Sequence, residues 1–247
     1  LAGFDVGFNV DVPYGFILKG DAGYAWAISG DSQQVYYARD GKTQPFSDIQ
    51  SDADNGYAWH GSIALGYAFD FGSADKTPVS FNVTPLAGYA WREQNLKANN
   101  GKESLSEFNT TNPDTLNQEN SYSTRWYGPW LGADITLAAF KNHQIFSSFQ
   151  HHWANYKGEG HWRQAQDLQQ PKSFEHEADA TGVVAAAGYR YLMDGIWGVS
   201  VSVDYQKWDA DSGSETLYTV NDEQFNSKLN EVEWESFGIN LGVNMKF

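Results

Sequence analysis

The chain has 247 residues, enough for one barrel or one to two globular domains, and 16 Lys+Arg against 31 Asp+Glu give a net charge of −15. That balance excludes a nucleic-acid partner, whose phosphates need a basic surface. Cys is absent, which excludes disulfides and thiolate metal sites. No run approaches 18 apolar residues, so no transmembrane helix is expected. No signal-peptide pattern is present, and the sequence reads as a mature form. Aromatics make up 16% of residues although the chain is polar on average. A membrane barrel, with aromatic belts around a polar lumen, accounts for both.

Residues 1–12 alternate, with Phe4, Val6, Phe8, Val10 and Val12 on one face and Asp5, Gly7, Asn9 and Asp11 on the other. Pro13-Tyr14-Gly15 reads as a short turn. The second strand sets Phe16, Leu18, Ala22, Tyr24, Trp26 and Ile28 outward and Lys19, Asp21 and Gly23 inward. A polar loop follows at about 29–55. The third strand carries Tyr57, Trp59, Ile63, Leu65, Tyr67, Phe69 and Phe71 on one face and His60 and Asp70 on the other. The fourth carries Val79, Phe81, Val83, Ala87, Tyr89 and Trp91, with Pro85 at a bulge or a locally unpaired position. A second loop spans about 97–121.

The fifth strand, from about Tyr122 to Phe140, places Leu131, Ala133, Ile135 and Leu137 outward and Asp134 inward, and turns at Lys141-Asn142. The sixth is the least regular, because Ile145, Phe149 and Trp153 share a face with Ser147 and His151. A third loop spans about 158–178. The seventh strand puts Val183, Ala185, Ala187, Tyr189 and Tyr191 outward and Arg190 inward, before a Met193-Asp194-Gly195 turn. The eighth puts Trp197, Val199, Val201, Val203 and Tyr205 outward and Asp204 inward. A fourth loop, about 209–231, leads to the last strand. There Phe237, Ile239, Leu241, Val243, Met245 and Phe247 alternate with Gly and Asn.

The fold expected is all-β: a transmembrane antiparallel up-and-down barrel, one domain over residues 1–247, in the bacterial outer membrane of a Gram-negative cell. Long acidic connections alternate with short turns, as outer-membrane barrels set long loops outside and short turns in the periplasm. Nine strands are counted, whereas bacterial single-chain barrels have an even number. Ten strands is the simplest repair and eight the fallback. The closing Phe247 resembles the final residue of outer-membrane barrels and implies the barrel-assembly machinery as a partner, beside membrane lipid and lipopolysaccharide.

The strand–turn–strand FNVDVPYGFILKGDAGYAW, the strand FNVTPLAGYAWRE, and the pair GPWLGADITLAAFKNHQIFSSFQHHWANYKGEGHW resemble the omptins, outer-membrane endopeptidases of enteric bacteria. The resemblance spans nearly the whole chain. It implies a water activated between an Asp-x-His pair and a facing pair of Asp, since His beside a carboxylate can take a proton from water. The Asp-x-His position is occupied here by Glu159-Gly160-His161, and the facing acids with the right gap are Asp52 and Asp54, late in their loop. Parity sets Glu159 and His161 on the outward face unless a bulge re-aims them. The bland reading is a rim Glu and His on a solvated loop base.

Lys19, Asp21, His60, Asp70, Asp134, Arg190 and Asp204, with Asp5 and Arg92, are expected to face the lumen and pair into a network that plugs it. A proton or ion path is the sharper alternative. Arg125, Lys157, Arg163 and Lys207 lie near outer strand ends, where they would meet lipopolysaccharide phosphates or else offset loop carboxylates. No metal ligand spacing is found among His143, His151 and His152, and no cofactor is expected beyond a dependence on lipopolysaccharide. The leading expectation is a surface binding or structural protein, its acidic loops attracting a cationic peptide or other surface ligand. An omptin-type endopeptidase, an adhesin and a small-solute pore are the alternatives.

Overall fold

The structure is a computed structural model that describes residues 1–39, 43–72, 79–105, 110–112, 120–139, 142–163, 165–193 and 196–246. Lys141, Asp194, Gly195 and Phe247, named above for turns and for assembly, lie outside the described residues. The strands are β1 (Ala2–Val12), β2 (Phe16–Trp26), β3 (Asp31–Arg39), β4 (Thr43–Tyr67), β5 (Phe69–Phe71), β6 (Val79–Leu105), β7 (Thr110–Asn112), β8 (Asn120–Ala139), β9 (His143–His161), β10 (Phe174–Leu192), β11 (Trp197–Tyr218) and β12 (Gln224–Met245). They form one antiparallel sheet in the order β1-β2-β4-β6-β8-β9-β10-β11-β12, with β3 added to β4 and both β5 and β7 to β6.

The nine strands of the main path are the nine read from alternation. The sheet curls on itself. Lys19 of β2 reaches Asp134 of β8 at 2.6 Å, and Arg92 of β6 donates to Gln206 of β11 at 2.8 Å. Among the described residues β1 is paired with β2 alone and β12 with β11 alone. Both edge strands run toward the short-turn end.

The outward faces are apolar and exposed, as a lipid-facing wall requires. Leu131, Ile135, Ile145, Phe149, Val201 and Leu241 lie in the middle of the band. Trp26, Trp59, Trp91, Trp153 and Tyr205 ring it on the long-loop side, and Phe16, Phe71, Phe81, Tyr189, Tyr191 and Trp197 on the short-turn side. These are the two interfacial aromatic girdles. From Trp59 to Tyr67 the tilted strand rises on the order of 20 Å, close to the thickness of an outer-membrane apolar band.

The turn after β1 places Tyr14 and Gly15 at φ 71° and 86°, a left-handed pair that Gly tolerates freely. Pro85 sits where β6 faces the break between β4 and β5: Leu86 pairs with Gly66 and Val83 with Phe69, and the ladder is interrupted between them. Pro has no N–H to give at that point.

The segments read as long loops are largely strand. β3 and the first half of β4 make a hairpin within 29–55, β9 runs on to His161, and β11 and β12 continue to a connection around Thr219–Glu223. The sixth strand of the sequence reading, the least regular in pattern, is an unbroken β9. These extensions stand above the bilayer, where no lipid demands an apolar face, so alternation does not mark them.

Candidate functional site at the extracellular mouth

Parity carries the two faces of β8, β9 and β10 up from the membrane into the mouth, while a register shift between β10 and β11 near Ser212, at φ 57°, switches the faces of β11. The register of β9 against β8 and β10 holds without a shift, so no bulge turns its upper end. Glu159 and His161 therefore stay on the outer wall, in line with Ile145, Phe149, Trp153 and Lys157. Glu159 lies opposite Ser123 and Glu175, and His161 opposite Ser121. Asp52 sits on β4 opposite Asp31 and Asn99, with β6 and β8 between it and β9 in the sheet. The backbone of Asp54 continues β4, and its side chain lies outside the described residues. The outer-wall placement of Glu159 and His161 separates them from the lumen.

The inward face of the same strand ends holds a different group. His176 of β10 is buried, with Nδ1 2.8 Å from Tyr122 Oη and Nε2 2.8 Å from Glu215 Oε2. Tyr122 is bonded in turn to Tyr156 Oη, and Ser227 donates to Glu215 Oε1 at 2.9 Å. One directed chain satisfies every group: Tyr156 donates to Tyr122, Tyr122 to His176 Nδ1, and His176 Nε2–H to Glu215. It links β8, β9, β10, β11 and β12.

Burial pushes the Glu215 carboxyl up, but the bonds from His176 and Ser227 hold it below the usual carboxylate range. Burial raises the Tyr122 phenol, and a weaker push from Glu215 adds to it. Gly158 and Gly160 make the room. A Cβ at Gly158 would come within 2.6 Å of both tyrosine oxygens, and one at Gly160 would enter the Phe174 ring. The Gly-Glu-Gly-His stretch is thus shaped by its inward glycines.

Above this chain Trp162 meets Phe174 edge-on at 5.2 Å and Tyr36 of β3 edge-on at 5.8 Å, joining two hairpins from separate parts of the sheet. Below it lies a plug. Trp126, Tyr156, Trp208, Ala154, Ala180, Ala210 and Leu229 are buried together. Trp208 lies 5.9 Å from Trp126 and 4.7 Å from His152, with the Arg92 guanidinium 5.1 Å over its ring. Trp130 packs with Ala64, Leu86 and Ala90 in a second buried cluster.

The expected lumen residues then follow downward. Lys19 pairs with Asp134. His60 Nε2 is 3.3 Å from Asp5 and 3.5 Å from Asp21. Asp70 accepts from Asn82 at 2.8 Å, Asp204 from Asn240 at 2.6 Å, and Arg190 reaches Gln144 at 3.3 Å.

Of the four outer cations, Arg125 pairs with Glu93 at 3.2 Å, Lys157 with Glu177 at 2.5 Å, and Lys207 with Glu233 at 3.2 Å and Asp209 at 3.5 Å. The Arg163 backbone N–H donates to Asn120. Among the described residues no group of His and acids is arranged to hold a metal ion. Sequence reasoning did not single out Tyr122, Tyr156, Glu215 and Ser227, and left His176 unassigned. Parity was an available signal for Tyr122, Tyr156 and His176, which keep the inward phase of their strands. Glu215 has the outward phase of Tyr205 and turns inward only past the irregularity at Ser212, which alternation does not mark.

The family model described as "Pom: Protochlamydia outer membrane protein" matches residues 6–247. The crystal structure of the outer membrane protease OmpT from Escherichia coli superposes with a TM-score of 0.77 at 13% identity, over 98% of this chain and 82% of that one. At that identity the likeness is one of fold. No curated protein matches the chain.

Proposed function

The chain belongs to the Protochlamydia outer membrane protein family and is an outer-membrane barrel with an OmpT-like fold, and we propose that it works as a surface binding or structural protein behind a closed lumen. The observation that carries this is the buried inward column. Trp126, Trp130, Trp208 and His152 are each about 1% exposed, and ion pairs and amide bonds occupy the levels beneath them. Side chains fill a barrel this narrow. The proton chemistry that would make it a peptidase is not supported by Glu159 and His161 on the outer wall, because a general base must lie within reach of the water it deprotonates.

The working surface is then the set of strand extensions, braced by the Tyr122–His176–Glu215 chain and rich in carboxylates. Their field favours cationic ligands. Arg125, Lys157 and Lys207 are answered by carboxylates, which supports charge balance over lipopolysaccharide phosphate as their role, and no lipopolysaccharide dependence is proposed on them.

A small-solute pore is the second reading. It is favoured by the polar inward face nearer the short turns, where Asp70 and Asn240 are solvent-exposed and Arg190 and Ser200 half-buried. Planar-bilayer recording separates the two. The closed reading expects no steady conductance from purified, refolded protein, and a stable single-channel step would transfer the case to the pore. Deleting the β11–β12 extension should abolish surface-ligand binding and leave the barrel folded. Cleavage of dibasic peptides that disappears in His161→Ala would restore the endopeptidase.

A further inference from the structure

Within the membrane-crossing strands, among the described residues, Lys19, Arg92 and Arg190 face the lumen. Two of them are answered by carboxylates. Lys19 pairs with Asp134, and Arg92 lies in the field of Asp21, Asp204 and Asp5. Arg190 differs. Its Nη1 meets Gln144 Oε1 at 3.3 Å, beyond the usual range for such a bond. Its guanidinium carbon is 5.1 Å from the centre of the Phe146 ring. Its Nε, like that of Arg92, is buried with no hydrogen-bond partner among the described residues.

The residues across from Arg190 are neutral and polar. It stands opposite Gln144 on β9 and Ser200 on β11, and Ser200 stands opposite Gly242 on β12. Asn244 donates to Ser200 Oγ at 3.0 Å, which leaves the serine proton for another acceptor. At Gly242 an added Cβ would come within 2.8 Å of Ser200 Oγ, so the glycine keeps that hydroxyl uncrowded.

Among the described residues no carboxylate is close enough for its charge to act on Arg190. Asp204 is four residues along β11 from Ser200, and Asp134 is opposite Ser148, four residues along β9 from Gln144. That spacing is roughly 13 Å of strand, beyond a Debye length of about 8–10 Å near physiological salt. Each of these acids also has its own partner.

We propose that this level, toward the short-turn end of the lumen, binds a small oxyanion, a phosphate or a carboxylate. The Arg190 fork takes two of its oxygens, and the Ser200 hydroxyl and Gln144 amide supply further donors. A planar guanidinium matches this bidentate geometry, which a lysine ammonium does not. The site needs access from the short-turn side alone, so it stands whether or not the plug above it conducts.

The test is line broadening of the phosphorus signal of inorganic phosphate by the refolded protein in detergent, with sodium chloride holding ionic strength constant. Heat-modifiable gel migration establishes folding for each variant. Saturable broadening is expected for the parent protein. Arg190→Gln should abolish it, and Arg190→Lys should weaken it by about tenfold, since the fork is lost and the charge kept. Gly242→Val retains Arg190 but crowds the Ser200 hydroxyl, and should abolish it too. Displacement by acetate extends the site to carboxylates, and failure of acetate to compete restricts it to phosphate. Equal broadening in the parent, Arg190→Gln and Gly242→Val, or displacement by chloride as effective as by phosphate, would overturn the proposal.

Discussion

His176 joins two acid–base partners that lie far from it in sequence, Tyr122 and Glu215, and its burial makes each bond count. Removing the imidazole leaves the Glu215 carboxylate half-buried with Ser227 as its remaining donor among the described residues. An unanswered buried group costs about 1–3 kcal/mol, more when charged. His176→Ala should therefore loosen the mouth by at least that amount, read as faster amide exchange in the 215–227 hairpin. The barrel below should keep its protection.

The pH sign follows from Glu215. Its folded pKa is lowered, so its contribution is present above the ordinary carboxylate value of about 4.3 and is lost as pH falls through the lowered folded value. Limited proteolysis of the hairpin should be slow at pH 7 and should quicken in that acid window in the parent protein. In Glu215→Gln the acid step should disappear. None of this chain was legible in the sequence. The distances between its members depend on strand register, and no short motif carries them. His161, which did resemble a motif, is set facing outward by the parity of its own strand.

Where strands cross lipid, one face must be apolar and the other need not be, and period-two alternation is the direct trace of that demand. The nine crossing strands and their outward residues were legible for this reason, including the weakly patterned His143–His161 strand. The β3–β4 hairpin and the upper halves of β6, β11 and β12 were read as loops, because water on both sides leaves their polar residues unconstrained. The same reasoning makes Leu131 a clean probe. It is 54% exposed near mid-band, and an arginine at that depth costs about 2–4 kcal/mol. Leu131→Arg should lower refolding stability in lipid vesicles by that amount, measured by denaturant titration. Arg at Ser123, on the same face of β8 but above the aromatic ring, should be nearly neutral.

Among the described residues β1 and β12 descend together, and each is hydrogen-bonded to a neighbour on one side alone. Hydrocarbon does not tolerate bare amides, so the outer rim of each needs a further partner. These two strands are the least tied in the sheet, and breathing should start along them. Deuterium uptake in vesicles should be quickest in Ala2–Val12 and Gln224–Met245 and slowest in β8 and β9, on the far side of the ring. Uniform uptake around the circumference would mean that the hoop carries its load evenly and has no hinge at all.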